Sequence, residues 1–412
     1  MADEQPPAPR RWYQALGPGL ITACVVIGPG SILTSSKVGA ANGYALSWVV
    51  VASVIFMLAF TTMAARLGVM ASESPGNMLT KSVGRWLAIL IGVSIFFIAS
   101  AFQFGNNLGV HTAFNAYMKF EYIVVVFNVA AIAFLFCFKN LYRALEKLMM
   151  GFVGLMLLAF AANLFFAKPK IGEWGKGFVP SGVGEIDITV LGLVGTTFVI
   201  AAAYFQIYLV RQKGVEKEDL LESLVDSRVG AVIMASITLM IMGTAASVLR
   251  GKELADAGAV AQQLQPLFGD AGKSLFCLGL FSAAYSSFLI NSMIGGFVLA
   301  DGLGLGSEPD DPWTRRMTAA VLITGMLVAL YVIRTGVKPV GAIVMAQAVT
   351  VIAAPLMAGV LLWLCNRKEY MGEHRNGPFL NAVGGVGFLL LLAMAWNTAF
   401  NKVWPKVSEW LG

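Results

Sequence analysis

The chain has 412 residues, 58% of them hydrophobic and 13% charged, with a formal net charge of +6 and a mean hydropathy of +0.75. Soluble domains carry about 25% charged residues, so this composition excludes a soluble globular protein and predicts a polytopic membrane protein. The basic excess is no sign of a nucleic-acid partner, because Lys and Arg fall mainly in short segments between apolar runs, where they set orientation.

In chain order, a polar, Pro-rich tail over 1–14 precedes an apolar run that is too long for a removable signal. About 20 apolar residues cross the hydrocarbon layer as a helix. Windows of that length predict eleven spans, near 15–45, 47–69, 86–109, 122–138, 144–167, 188–212, 228–249, 273–300, 317–334, 340–365 and 379–397, followed by a C-terminal tail over 398–412. Gly151, Gly214, Gly251, Pro312 and Gly377 carry turn or end signals. Basic residues such as Arg66, Arg143, Arg211, Arg315 and Arg367 outnumber those on the other side, predicting a cytoplasmic N-terminus and an external C-terminus.

The first span contains Gly28-Pro29-Gly30-Ser31. Proline removes a backbone donor and glycine removes side-chain support, so the helix is expected to break here. Irregular backbone at membrane depth is tolerated only where it faces protein, water or a solute, which marks Gly28, Pro29, Gly30 and Ser31 as substrate-binding. Ser31 is the expected N-cap of the second half-helix, with its hydroxyl available to a solute. An odd span count with a broken first helix predicts five plus five inverted repeats, about 15–167 and 188–365, with 379–397 as an extra helix. Span 6 is then the partner of span 1. Its stretch from Gly192 to Gln206 holds Gly195, Ala201, Ala202 and Ala203 and one polar amide, Gln206.

Elsewhere the pattern is bland. Cys24, Cys137, Cys277 and Cys365 lie in apolar stretches with no CxxC pairing and read as small core residues. His111 and His374 are expected in connecting segments on opposite sides of the membrane, and Asp301 to Asp311 in a solvated acidic loop. Lys37 reads as a cation snorkelling toward the end of its helix near Gly43. No cluster suited to catalysis occurs within the spans, so no enzyme, no cofactor and no obligatory protein partner are expected. The implied partners are the lipid bilayer and a transported ion or small solute, in a multi-pass plasma membrane protein of bacterial inner-membrane type.

Several stretches carry a resemblance: Leu16-Gly-Pro-Gly-Leu20, Gly43-Tyr-Ala-Leu-Ser-Trp48, Ala64-Ala-Arg-Leu-Gly68, Ser286-Ser287 with Gly295-Gly296, and Asn366-Arg-Lys-Glu-Tyr-Met-Gly372. They resemble the Nramp family of divalent transition-metal transporters, which implies an all-α, LeuT-type fold with helices 1 and 6 broken. The site departs from that family. Gly28-Pro29-Gly30-Ser31 stands where Asp-Pro-Gly-Asn is usual, and Val199-Ile-Ala201-Ala202-Ala203 stands where Met-Pro-His is usual. The acidic residues of span 3 give way to Gln103, Asn106 and Asn107, and the Arg of span 9 to Ala319 or Ala320.

The resemblance leaves Ser31 and Gln347, which falls where the family places a glutamine near the ion, as side-chain metal ligands. Without a thioether, the preference for soft metals over Mg²⁺ is lost. The pattern is similar to the Nramp-related magnesium transporters and implies movement of Mg²⁺ or Mn²⁺ by alternating access without proton coupling. The alternative is an anion or small polar solute held by the amides at Gly30-Ser31, with Lys37 assisting.

Overall fold

The structure, a computed structural model, describes residues 17–137, 141–180, 188–254, 257–336 and 339–400. Within its helices the side chains of 141–142, 188–189, 222, 257–258, 262–268 and 339–352 lie outside the described set. The helices in chain order are α1 (Pro18–Val26), α2 (Pro29–Asn42), α3 (Ser47–Met70), α4 (Pro75–Ser82), α5 (Arg85–Asn115), α6 (Ile123–Cys137), α7 (Leu141–Ala167) and α8 (Ile171–Lys176). They continue with α9 (Ile188–Thr197), α10 (Ile200–Lys213), α11 (Leu220–Val248), α12 (Ala257–Leu303), α13 (Pro312–Thr335), α14 (Pro339–Asn366), α15 (Lys368–Met371) and α16 (Pro378–Thr398). No strand occurs among the described residues.

Eight of these segments are long and apolar enough to cross a membrane, and α1 with α2, bent by 59°, makes a ninth. The shorter apolar helices Ile123–Cys137 and Ala353–Asn366, the latter part of α14, complete the expected eleven-span pattern. Spans 1 and 6 are the interrupted ones. They are also the most enclosed: every residue of α1 is buried, and the apolar window of Val190–Lys213 is wholly buried. By contrast only 22% of the window in α16 is buried inside the protein, as a peripheral span demands.

Two buried carboxylates pin the broken helices to this frame. Asp226, near the start of α11, accepts the Gly17 and Gly19 amides at 3.0 and 2.7 Å and so caps the first turn of α1. A helix start leaves amides without partners, and a carboxylate there also meets the positive end of the helix dipole. The contact is close: a Cβ at Gly19 would lie 2.3 Å from the Asp226 carbonyl oxygen. Asp301, at the end of α12, accepts the Ser74 hydroxyl at 2.6 Å, the Gly76 amide at 2.7 Å and the Tyr208 hydroxyl at 2.6 Å. It thereby joins α4, α10 and α12 at one point. Arg211, in the last turn of α10, donates to the carbonyls of Ala71 and Glu73 at 2.9 and 2.7 Å.

Several sequence expectations change here. Asp301 is 3% exposed and belongs to α12, because three donors replace the water a loop carboxylate would have. The loop begins only beyond Leu303, where Asp311 accepts the Ser307 and Glu308 amides at 2.9 Å. Gly151 lies within α7, whose ladder runs through it. His111 lies within α5, which extends to Asn115, not in a connecting segment. Cys137 is exposed, whereas Cys24, Cys277 and Cys365 are buried as expected. The tails over 1–14 and 401–412 lie outside the described residues.

Removal of the Asp301 carboxylate strands three buried donors, each worth about 1–3 kcal/mol when unpaired. Asp301→Ala is therefore expected to lower the thermal unfolding midpoint in detergent by several degrees, with Asp301→Asn intermediate. An unchanged midpoint for Asp301→Ala would show that these bonds do not hold the fold.

Candidate functional site

The break in span 1 occupies two residues. Ile27 (φ −90, ψ 84) and Gly28 (φ −117, ψ 178) leave the helical region, and Pro29 restarts the helix at its first position. The Ile27 amide still donates to Ala23 O at 3.1 Å, and the Gly28 amide turns back to Val26 O at 3.2 Å. The next bond is Ile32 N–H to Gly28 O at 3.0 Å. Gly28, not Ser31, is thus the N-cap, and Ser31 lies in the first turn of α2. The physical reason is the proline, whose fixed φ and missing N–H suit the first helical position, so the cap is the residue before it, three positions ahead of Ser31.

Two neighbouring helices wall the break. An added Cβ at Gly28 would stand 3.3 Å from both Asn106 Oδ1 on α5 and Ser287 Oγ on α12, tighter than ordinary contact. Ser287 also donates to Val25 O at 3.2 Å, satisfying a carbonyl freed at the end of α1. A Cβ at Gly109 would lie 2.2 Å from Pro29 Cγ, so the proline ring seats directly on the α5 backbone.

Span 6 breaks at Phe198-Val199. The ladder ends with Phe198 N–H to Val194 O at 2.7 Å and resumes with the Ala202 and Ala203 amides on Val199 O at 3.0 and 3.2 Å. A cavity of about 20 Å³ opens there, bounded by Phe102, Phe198, Val199, Ala201 and the span-10 residues Ala354 and Met357. The two interrupted spans meet through Thr34 and Thr196, whose hydroxyl oxygens are 3.3 Å apart.

Polar groups without partners cluster on the same segments. Ser31 Oγ and Ser35 Oγ on α2 and Thr197 Oγ1 at the end of α9 are buried and make no hydrogen bond. Ser31 and Ser35, four residues apart, share one helix face. A buried hydroxyl left unpaired costs about 1–3 kcal/mol; other unpaired buried hydroxyls, among them Ser100, Ser223, Thr238 and Ser282, lie elsewhere in the bundle. Ser35 and Thr197 were not picked out from the sequence, although the spacing of Ser35 from Ser31 was a usable signal.

The remaining candidates divide. Gly28, Pro29, Gly30, Ser31, Ala201 and Ala202 are all buried at or within a turn of the two breaks. Gln206 stands one turn beyond Ala202, where its Oε1 accepts from Thr22 at 2.5 Å and its Nε2 donates to Ser227 at 3.4 Å, tying α1 to α10 and α11. The side chain of Gln347 lies outside the described residues. Lys37 is half-buried in α2, whose C-cap is Gly43 as expected.

Behind the span-1 break, four buried amides form a neutral chain. Asn106 Nδ2 donates to Gln103 Oε1 at 3.3 Å, Asn107 Nδ2 to Gln103 O at 2.8 Å, and Asn128 Nδ2 of α6 to Asn107 Oδ1 at 2.6 Å. Among the described residues no group of three or more His, Cys, Asp or Glu is placed to hold a metal. The polarity at the breaks comes from hydroxyls, amides and peptide groups. The Asp226, Asp301 and Arg211 contacts gather toward one end of the spans, and toward the other Trp174 is stacked on Tyr44 at 5.7 Å with Nε1 donating to Ser47 at 3.1 Å.

Comparison with known proteins places this geometry. The profile described as natural resistance-associated macrophage protein-like, Nramp, matches residues 19–401. A divalent metal cation transporter MntH of Deinococcus radiodurans is 26% identical over 398 residues, covering 93% of this chain and 89% of the relative. The MntH of Bacillus subtilis is 25% identical over 398 residues, covering 92% and 90%. The crystal structure of the Eremococcus coleocola manganese transporter, in complex with an aromatic bis-isothiourea substituted compound, superposes with a TM-score of 0.82 at 17% identity, covering 96% of this chain and 88% of that one. Relatives in this family are divalent metal transporters, and the solved structures share the fold. Helix order, the two interrupted spans and a match across nearly the whole length lead to one conclusion: this chain belongs to the Nramp family and has its all-α, LeuT-type membrane fold.

Proposed function

We propose that this protein moves a divalent cation, Mg²⁺ or Mn²⁺, across the membrane by alternating access and without coupled protons. The observation that carries the reading is the set of buried, unpaired hydroxyls, Ser31, Ser35 and Thr197, beside two helix breaks in contact through Thr34 and Thr196. Oxygen donors of this kind suit a hard cation that keeps part of its water shell. The family's cargo, a divalent metal, supports the cation class.

The electrostatics are those of dipoles. The carboxyl-terminal ends of α1 and α9 both stop at the breaks, and each helix end carries roughly half a negative charge. The amino-terminal ends of α2 and α10 restart at the same breaks with the opposite sign, so the site offers oriented carbonyl and amide dipoles and no net charge. A side chain at position 28 would have to displace Asn106 Oδ1 and Ser287 Oγ, each 3.3 Å from its Cβ position. Met357 reaches the span-6 cavity from span 10, but as part of an apolar wall.

The absence of proton coupling rests on the groups nearest the break. The span-3 amides Gln103, Asn106 and Asn107 do not titrate, His111 stands a turn beyond Asn107 on the same helix, and the carboxylates Asp226 and Asp301 are committed to capping far along their helices. A membrane potential, worth about 2.3 kcal/mol per charge per 100 mV, drives a divalent ion inward without protons.

A second reading has one observation in its favour. The Gly30 and Ser31 amides lie in the first turn of α2 beside the unpaired Ser31 hydroxyl, a donor arrangement that suits an anion or small polar solute. Titration calorimetry with Mn²⁺ separates the two, because heat that disappears in Ser31→Ala excludes the anion.

Proteoliposomes containing the full chain are expected to take up Mg²⁺ or Mn²⁺ under an inside-negative potential. The rate should change less than about twofold between roughly pH 6 and 8, the range in which histidine titrates, and the lumen should not acidify. No divalent flux, or flux with stoichiometric acidification, would overturn the reading. Ser31→Ala should weaken the apparent affinity about tenfold or more, the value of a hydrogen bond to a charged group. Its melting temperature should stay at the wild-type value, because the Oγ makes no hydrogen bond in the protein.

A further inference from the structure

We infer that a groove between spans 2, 6 and 11 is a binding site for one membrane phospholipid, with an acyl chain along its length and the ester carbonyl at Trp48. The groove has a volume of about 520 Å³ and lies between α3, α9 and α16. Its walls are apolar residues such as Val49, Phe56, Val194 and Met394. The cavity is separate from the one at the span-6 break and shares no lining residue with it. The inference does not depend on which solute is carried.

Dimensions select the occupant. The lining residues run from Trp48 to Phe56 on α3 and from Val386 to Asn397 on α16. At about 1.5 Å per helical residue these are rises of about 12 and 16 Å. Half of a hydrocarbon core roughly 30 Å thick is about 15 Å, so the groove is as long as one leaflet is deep. An extended polypeptide segment lodged there would bring unpaired amides and carbonyls into hydrocarbon, which an acyl chain does not.

Polarity fixes the direction. Among the described residues the polar side chains bounding the groove are Trp48, Ser53 and Asn397, of which Trp48 is in the first turn of α3 and Asn397 in the last turn of α16. Trp48 Nε1 and Asn397 Oδ1 are buried without a hydrogen-bond partner. An indole N–H only donates, so Trp48 calls for an acceptor at the boundary between chain and headgroup, where indoles are enriched in membrane proteins. The glycerol ester carbonyl of a phospholipid is such an acceptor, and the Asn397 amide stands beside it for a neighbouring headgroup oxygen or donor. With the N-terminus on the cytoplasmic side, this is the outer leaflet. The remaining wall, Val190, Leu191 and Val194, belongs to α9, so a bound chain braces the half-helix that ends at the span-6 break.

The test uses the full chain reconstituted with phosphatidylcholine and a rising fraction of phosphatidylcholine brominated in mid-chain. Because the chain has nine tryptophans, the signal of Trp48 is taken as the difference between wild type and Trp48→Phe. Quenching of that difference signal at a brominated fraction several-fold below the one that quenches the remaining tryptophans is expected. Filling the groove with Ala52→Leu and Ala393→Leu together should return it to the bulk value. Quenching of Trp48 in step with the bulk lipid, or no response to filling in a folded variant, would overturn the site. If the filled variant does not fold, native mass spectrometry of the wild type decides: one phospholipid retained per chain and lost in Trp48→Ala supports the site, and retention unchanged by Trp48→Ala overturns it.

Discussion

Every feature at the centre of this protein follows from one constraint: a peptide group cannot be left bare in hydrocarbon. Breaking span 1 at Ile27-Gly28 frees carbonyls and amides inside an apolar span, and part of them are answered by a neighbouring helix or by the chain itself. Ser287 donates to Val25 O, the Gly28 amide folds back on Val26 O, and the ring of Pro29 presses on Gly109 so that no solvent gap remains beneath it. Spans 3 and 8 are therefore as much a part of the break as span 1. The glycine at 109 is required by this approach, since its Cβ would lie 2.2 Å from the Pro29 ring, whereas a Cβ at 28 would ask only for small shifts of Asn106 and Ser287.

The charged residues have been moved to the ends. In place of carboxylates at the breaks stand hydroxyls and a run of amides, Gln103, Asn106, Asn107 and Asn128, bonded to one another or to backbone. The buried carboxylates Asp226 and Asp301 lie instead where helix starts offer free amides. A carboxylate there is stabilised by donors it would lack at the centre, where an unpaired charge in a low dielectric is costly. The caps hold α1 and α10 in place, and the hydroxyls of Ser31, Ser35 and Thr197 take no part in that.

Neutral donors select differently from soft or charged ones. A thioether favours soft metals and a carboxylate favours charge, whereas hydroxyls and peptide dipoles discriminate mainly by size and hydration. Thr34 and Thr196 set the separation of the two half-helices through their hydroxyl contact, so the shape of the space depends on tertiary packing between spans 1 and 6.

The sequence by itself determined the membrane class, the span pattern and the position of the first break, because hydrophobic length and a Gly-Pro-Gly run act through local backbone chemistry. The Nramp resemblance, carried by motifs near both ends, extended this to the family and fold. Other features were out of its reach. The second break lacks a proline, and its position at Phe198-Val199 emerges only where the two ladders stop. Asp301 reads as a loop acid in a linear view, yet Ser74, Gly76 and Tyr208 converge on it from segments 93 or more residues away. The N-cap of α2 moved from Ser31 to Gly28 because proline occupies the first helical position. Ser35 and Thr197 acquire significance only from the absence of partners, which is a property of the packed neighbourhood. Local chemistry decides where a helix must break; which atoms then face the opening is decided by the helices that close around it.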